Sequence, residues 1–163
     1  MNKEIAGIAV CICLCMSAVT GAYARGDAAS VDFTRPDLAG KTYQLSSYRG
    51  KQPVLLFFWT TWCPFCLSKL KDLNTGYMDL EKKGLALLAV NVGERRTGVE
   101  KLARAYAIKY TILLDQEGAV ADEFRIVGVP TFILIDKKGV IRYNGNEYPE
   151  DPISSLLNDH DDL

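Results

Sequence analysis

The sequence predicts a single α/β domain, and three observations carry that expectation. Val54, Leu55, Leu56, Phe57, Phe58 and Trp59 form an unbroken apolar, β-rich run, which reads as a strand buried on both faces. Directly after it the spacing changes. Leu67, Leu70, Leu73, Tyr77 and Leu80 recur every three or four residues, the apolar stripe of a helix. The remainder continues to alternate strand-like and helix-like stretches and closes on a hairpin signal. The 163 residues suffice for one domain with a substantial core, and no internal repeat or broad linker divides them. A net charge of −1 gives no reason to expect nucleic acid or another polyanion as a partner.

The elements follow in order. Lys3 precedes residues 5–19, which carry no charge, and Ala22-Tyr23-Ala24 then supplies a small-x-small cleavage pattern. Residues 1–24 therefore read as a signal peptide and residues 25–163 as the single domain. The alternative is a retained anchor, but the run is shorter than the roughly 18–20 residues that a spanning helix needs. Cys11, Cys13 and Cys15 inside it read as apolar filler. Residues 26–30 and 159–163 are expected to be mobile.

Residues 42–48 form a small extension before the strand at 54–59. The helix that follows has Gly76 as a candidate bend or early end, and Lys82-Lys83-Gly84 as its stop. Residues 85–92 read as a second buried strand. Thr97-Gly98-Val99-Glu100 has the pattern of a capping box, opening a helix with Val99, Leu102, Ala103 and Tyr106 facing inward. A short strand at 111–114, a turn at 115–118 and a short helix at 119–124 come next. Strands at 131–135 and 140–143 flank the turn Asp136-Lys137-Lys138-Gly139. Asp151 and Pro152 cap and start a last helix reaching about residue 158.

Chemistry concentrates in Cys63-Pro64-Phe65-Cys66, at the turn from the buried strand into the first helix. If the leader is removed, these are the two cysteines left, whereas an exported protein stapled by disulfides usually carries several. A ring this small contributes only about 2 kcal/mol in the chain-entropy model, so a structural clip explains little. A structural zinc site wants four ligands, and the domain offers two Cys and His160. A redox couple fits best. Unpaired N–H groups and the positive end of a helix dipole favour a thiolate at Cys63. Cys66, one turn further in, is placed to attack a mixed disulfide formed there. No metal or cofactor is required.

The segments "FFWTTWCPFC" and "GVPTFILIDKKG" together resemble the thioredoxin superfamily. "AGKTYQLSSYRGKQPVLLFFWTTWC" is similar to its TlpA/ResA-like branch of exported thiol–disulfide oxidoreductases, which includes cytochrome c maturation proteins. The resemblance implies a central mixed β-sheet flanked by helices, an N-terminal extension and an inserted helix near residues 97–108. It implies a cis bond between Val129 and Pro130 facing the cysteines, and a strand from Thr131 able to offer main-chain groups to a peptide. Cys63 and Cys66 would be catalytic, with Trp62, Pro64, Phe65, Val129, Pro130 and Thr131 forming the docking surface. Trp59 reads as core. The implied partners are client proteins with disulfides or CxxC motifs, apocytochrome c among them, and a membrane or periplasmic electron donor. The implied location is periplasmic or otherwise exported, or on the inner membrane if the leader is kept.

Three positions depart from the pattern. Thioredoxins carry a buried acid six residues before the first active cysteine, where Phe57 stands here. Lys69 replaces a Glu common in the ResA-like branch, and Lys71 a frequent helix proline. Phe65 cannot donate a hydrogen bond to the Cys63 thiolate, which favours a reductant over a strong oxidant. Two other classes stay open. Thr60 and Cys63 have the TxxC spacing of a peroxiredoxin, although Leu56 stands where a proline is expected. A copper or cytochrome chaperone would use the dithiol as a soft ligand pair.

Overall fold

The structure, a computed structural model, describes residues 31–158. The expected leader, its three cysteines, His160 and the two terminal segments expected to be mobile lie outside the described residues. In chain order the elements are β1 (Thr34–Pro36), β2 (Thr42–Gln44), a 3₁₀ turn (Leu45–Tyr48), β3 (Val54–Trp59), α1 (Pro64–Lys82) and β4 (Ala86–Val92). Then come α2 (Arg96–Ala105), β5 (Thr111–Asp115), α3 (Ala119–Glu123), β6 (Thr131–Ile135), β7 (Ile141–Gly145) and α4 (Glu150–Asn158).

The apolar run lies at the centre because all six of its side chains need cover. β3 pairs in parallel with β4 and antiparallel with β6, inside a five-stranded mixed sheet of order β5-β4-β3-β6-β7. Leu55, Phe57 and Trp59 point to one face, under α1, α2 and α4. Val54, Leu56 and Phe58 point to the other, under α3 and the N-terminal extension. Each such side chain contributes roughly 1.5–3 kcal/mol on burial, so the strand carrying the cysteine turn is anchored from both sides. The expected sheet, extension and inserted helix are all present.

Several local expectations are corrected. β1 is polar and contains Pro36, so no apolar alternation marks it. It forms because β2 offers an antiparallel partner, with Arg35 opposite Tyr43. Arg35 Nε also reaches the buried Asp115 carboxylate at 3.2 Å, tying this hairpin to the end of β5. The capping box does not form. α2 starts at Arg96 with no side-chain cap, and Glu100 pairs with Arg104 one turn on instead of reaching back. α4 starts at Glu150, ahead of the expected cap at Asp151. Pro152 is tolerated there because first-turn N–H groups have no partner within the helix. Gly76 does not end α1, which runs unbroken to Lys82; its apolar stripe outweighs the roughly 1 kcal/mol cost of one glycine. The chain then turns at Gly84, whose φ of 78° suits a residue without Cβ.

Candidate active site

β3 ends at Trp59, and Thr60, Thr61 and Trp62 carry the chain to Cys63, the N-cap of α1. Pro64 occupies the first helical position, where its missing N–H costs nothing. Cys63 is disulfide-bonded to Cys66, with 5.2 Å between their Cα atoms. The Cys66 backbone N–H points at Cys63 Sγ, 3.1 Å away. A helix N-terminus thus caps itself with sulfur where Ser or Asp more often serves, and the same donor is ready for a thiolate. Cys63 is 4% exposed and Cys66 0%. The order of exposure is as expected, but the difference is small because the oxidised Cys63 packs against the chain opposite.

That chain is the segment before β6. The Val129–Pro130 bond is cis, and the Val129 carbonyl oxygen lies 3.8 Å from Cys63 Sγ. Pro130 offers its own carbonyl to Asn146 Nδ2 at 2.6 Å. Thr131 is buried, registers with Phe58 in the sheet and donates its hydroxyl to Gly128 O at 2.7 Å. The Val129 carbonyl thus presents a main-chain oxygen to the disulfide. Trp62 and Phe65 flank the sulfurs and are 71% and 78% exposed, far more than large apolar side chains usually are. Val127, two residues before Val129 and missed in the sequence reading, is fully exposed as well. Pro64 is exposed between the cysteines. Trp59 is fully buried, as expected of a core residue.

The departures have distinct surroundings. Phe57 stacks on Phe132, ring centroids 4.7 Å apart, so this position is sealed in hydrocarbon. The Lys71 ammonium sits over the Tyr106 ring at 5.2 Å. Lys69 lines a cavity of about 230 Å³ with Asp72, Leu73, Gly76, Leu80 and Tyr148.

A carboxylate does reach the active-site turn, from an element that sequence reasoning passed over. Glu94, in the loop between β4 and α2, accepts from Thr61 N at 2.7 Å and from the Thr61 hydroxyl. It also accepts from Asn91 Nδ2 at 2.7 Å. Asn91 is fully buried opposite Trp59, on the face that also holds Cys66. The hint in the sequence was a polar residue, Asn91, inside an otherwise apolar strand, two residues before Gly93-Glu94.

Comparison with known proteins places this geometry. Residues 26–144 match the AhpC/TSA family. The chain belongs to that family. Thiol-disulfide oxidoreductase ResA of Geobacillus kaustophilus is 40% identical over 111 residues, covering 68% of this chain and 63% of that protein. The chain thus spans a little under two thirds of that relative. StoA from Bacillus subtilis superposes with a TM-score of 0.67 at 26% identity, covering 78% of this chain and 98% of StoA. A Chlorobium tepidum protein, described as a candidate thiol:disulfide interchange protein DsbE, gives 0.74 at 27% identity, covering 82% and 98%. These neighbours have the thioredoxin fold, and the resemblance to ResA-like proteins is borne out.

Proposed function

We propose that the protein is a thiol–disulfide oxidoreductase acting on client proteins through Cys63 and Cys66. The carrying observation is the disulfide at the N-terminus of α1, with a backbone N–H on Cys63 Sγ and a backbone carbonyl facing it. The relatives named for this activity support the reading.

In the reduced protein the Cys63 thiolate attacks a client disulfide. A mixed disulfide forms as the client S–S bond breaks, and the departing client sulfur takes up a proton. Cys66 then loses its proton and attacks Cys63 Sγ, closing the ring and releasing the second client thiol. The client gains two electrons and the protein loses two, so a membrane or periplasmic dithiol donor must reduce the pair again. Trp62, Pro64 and Phe65 on one side, and Val129, Pro130 and Thr131 on the other, form the docking surface. Phe65 supplies no donor to the thiolate, which favours work as a reductant. The apparent leader and the ResA relatives support an extracytoplasmic setting, and cytochrome c maturation is the specific role we assign.

The test is exchange with a peptide disulfide, followed by the reduction potential against glutathione. A value near or below about −270 mV is expected of a reductant, and one near about −120 mV would make it an oxidant. Rapid consumption of hydrogen peroxide by the reduced protein, with no exchange, would favour a peroxidase instead.

A further inference from the structure

We infer that Glu94 is a positioning residue for the thiol–disulfide reaction, fixing from a neighbouring loop the turn that aims Cys63. The inference rests on the oxidoreductase reading above. Its basis is the convergence of three neutral donors on one carboxylate: Thr61 N at 2.7 Å, the Thr61 hydroxyl, and Asn91 Nδ2 at 2.7 Å. Thr61 lies two residues before the nucleophile, in the only stretch between β3 and Cys63. Within that stretch Thr60 is buried at 4% exposure and Trp62 is exposed at 71%, so Thr61 is where the carboxylate takes hold of the backbone. One further contact is Cys63 N to Thr60 O at a long 3.4 Å.

The anchor itself is firm. Asn91 is fully buried in β4, and Gly93 N donates to Asp115 O at 2.8 Å, fixing the start of the loop. Glu94 therefore connects the rigid end of β4 to the backbone that leads into Cys63. Its role differs from that of the acid thioredoxins carry at the position of Phe57, because here the carboxylate holds main chain while Phe57 is sealed against Phe132. Arg95 and Arg96 follow Glu94 directly in the chain, at the start of α2. Arg96 is committed to the Leu38 carbonyl.

The geometry allows position and charge to be separated. In Glu94→Gln the amide oxygen can accept from Thr61 N and Asn91, and the amide nitrogen can donate to the Thr61 hydroxyl. All three contacts survive and the charge is lost. Glu94→Ala loses both. The measurement is the rate at which the full chain, reduced, exchanges with a peptide disulfide, together with its reduction potential. Glu94→Ala is expected to slow exchange roughly tenfold, the scale of a misplaced reacting group. Glu94→Gln is expected to restore it to within about threefold of the parent, because the placement is kept. Its potential should move in the oxidising direction, since removing a negative charge held on the turn that leads into Cys63 favours the thiolate form.

A parent-like rate in Glu94→Ala overturns the inference, and so do equally slow Ala and Gln variants with unchanged potentials. If Glu94→Ala does not fold, Thr61→Val decides. It deletes one contact at nearly constant volume and should slow exchange severalfold, whereas a parent-like rate again overturns the inference. If the parent chain exchanges with no disulfide at all, the oxidoreductase reading falls and this one with it; a parent that exchanges while the variants match it sinks only the role of Glu94.

Discussion

At the scale of single residues, Cys63 and Cys66 differ more in setting than in exposure. Both are buried in the oxidised protein, yet only Cys63 sits at the N-cap with a backbone N–H on its sulfur. Cys66 lies inside the first turn, at 0% exposure, among apolar neighbours that disfavour a thiolate. Cys63 also sits at the turn edged by the exposed Trp62 and Phe65. Alkylation of the reduced protein at mildly acidic pH should therefore label Cys63 first, as read by mass spectrometry of the peptides. Equal labelling, or Cys66 ahead, would contradict the helix-terminus argument. Phe57 shows what the residue scale hides. The sequence reveals that an acid is missing there, but the stacking on Phe132 depends on a strand 75 residues further along the chain (132 − 57).

At the scale of elements, α1 has to be fixed rigidly behind the cysteines, and Tyr110 does part of this. It is 5% exposed at the entry to β5, and its hydroxyl donates to the Leu70 carbonyl of α1 at 3.0 Å. Burial holds its ionisation well above the usual phenol value of 10.0. A group raised in the folded state stabilises below its unfolded value and loses that contribution as pH climbs through the folded one. Tyr110→Phe should cost about 1 kcal/mol in urea unfolding at pH 7, the worth of one buried hydrogen bond. The gap between parent and variant should shrink as pH rises above 10, because the unfolded parent then ionises this hydroxyl while the fold holds it neutral, which favours unfolding. Tyr48, Tyr77 and Tyr148 are raised too, mainly by burial, but they are common to both proteins and cancel. A gap that stays constant with pH would mean the hydroxyl is not held as described. β3 and β4, as unbroken apolar runs, and α1, with its apolar stripe, were legible in the sequence because their own side chains specify the burial they need. β1 was not, since its pairing with β2 is what makes it a strand. The α2 start was misplaced because Glu100 has a competing partner in Arg104. Glu94 escaped notice for the same reason as β1: its partners, Thr61 and Asn91, come from other elements.

At the scale of the whole molecule, the fold places one reactive pair on a scaffold that does not need the disulfide. Two apolar clusters, one on each face of the sheet, hold β3 and α1. Against these, the four-residue ring contributes only about 2 kcal/mol, so single cysteine variants should stay folded. That allows a clean dissection of the two sulfurs. In Cys66→Ser the resolving thiol is gone while the turn and Cys63 remain, because Ser is close to Cys in size. Attack on a client then stops at the mixed disulfide, which should persist on a non-reducing gel of cells expressing the variant. Cys63→Ser should trap far less, since the remaining thiol is fully buried and away from the helix end. The trapped bands identify the clients. An apocytochrome c among them fits haem-attachment maturation, and a mixed set fits a general dithiol role. If neither variant traps anything while both are expressed and folded, the exchange mechanism is wrong. The exposed Trp62 and Phe65 beside the pair would then mark a surface that binds without exchanging, and stoichiometric Cu(I) binding by the dithiol becomes the measurement to make.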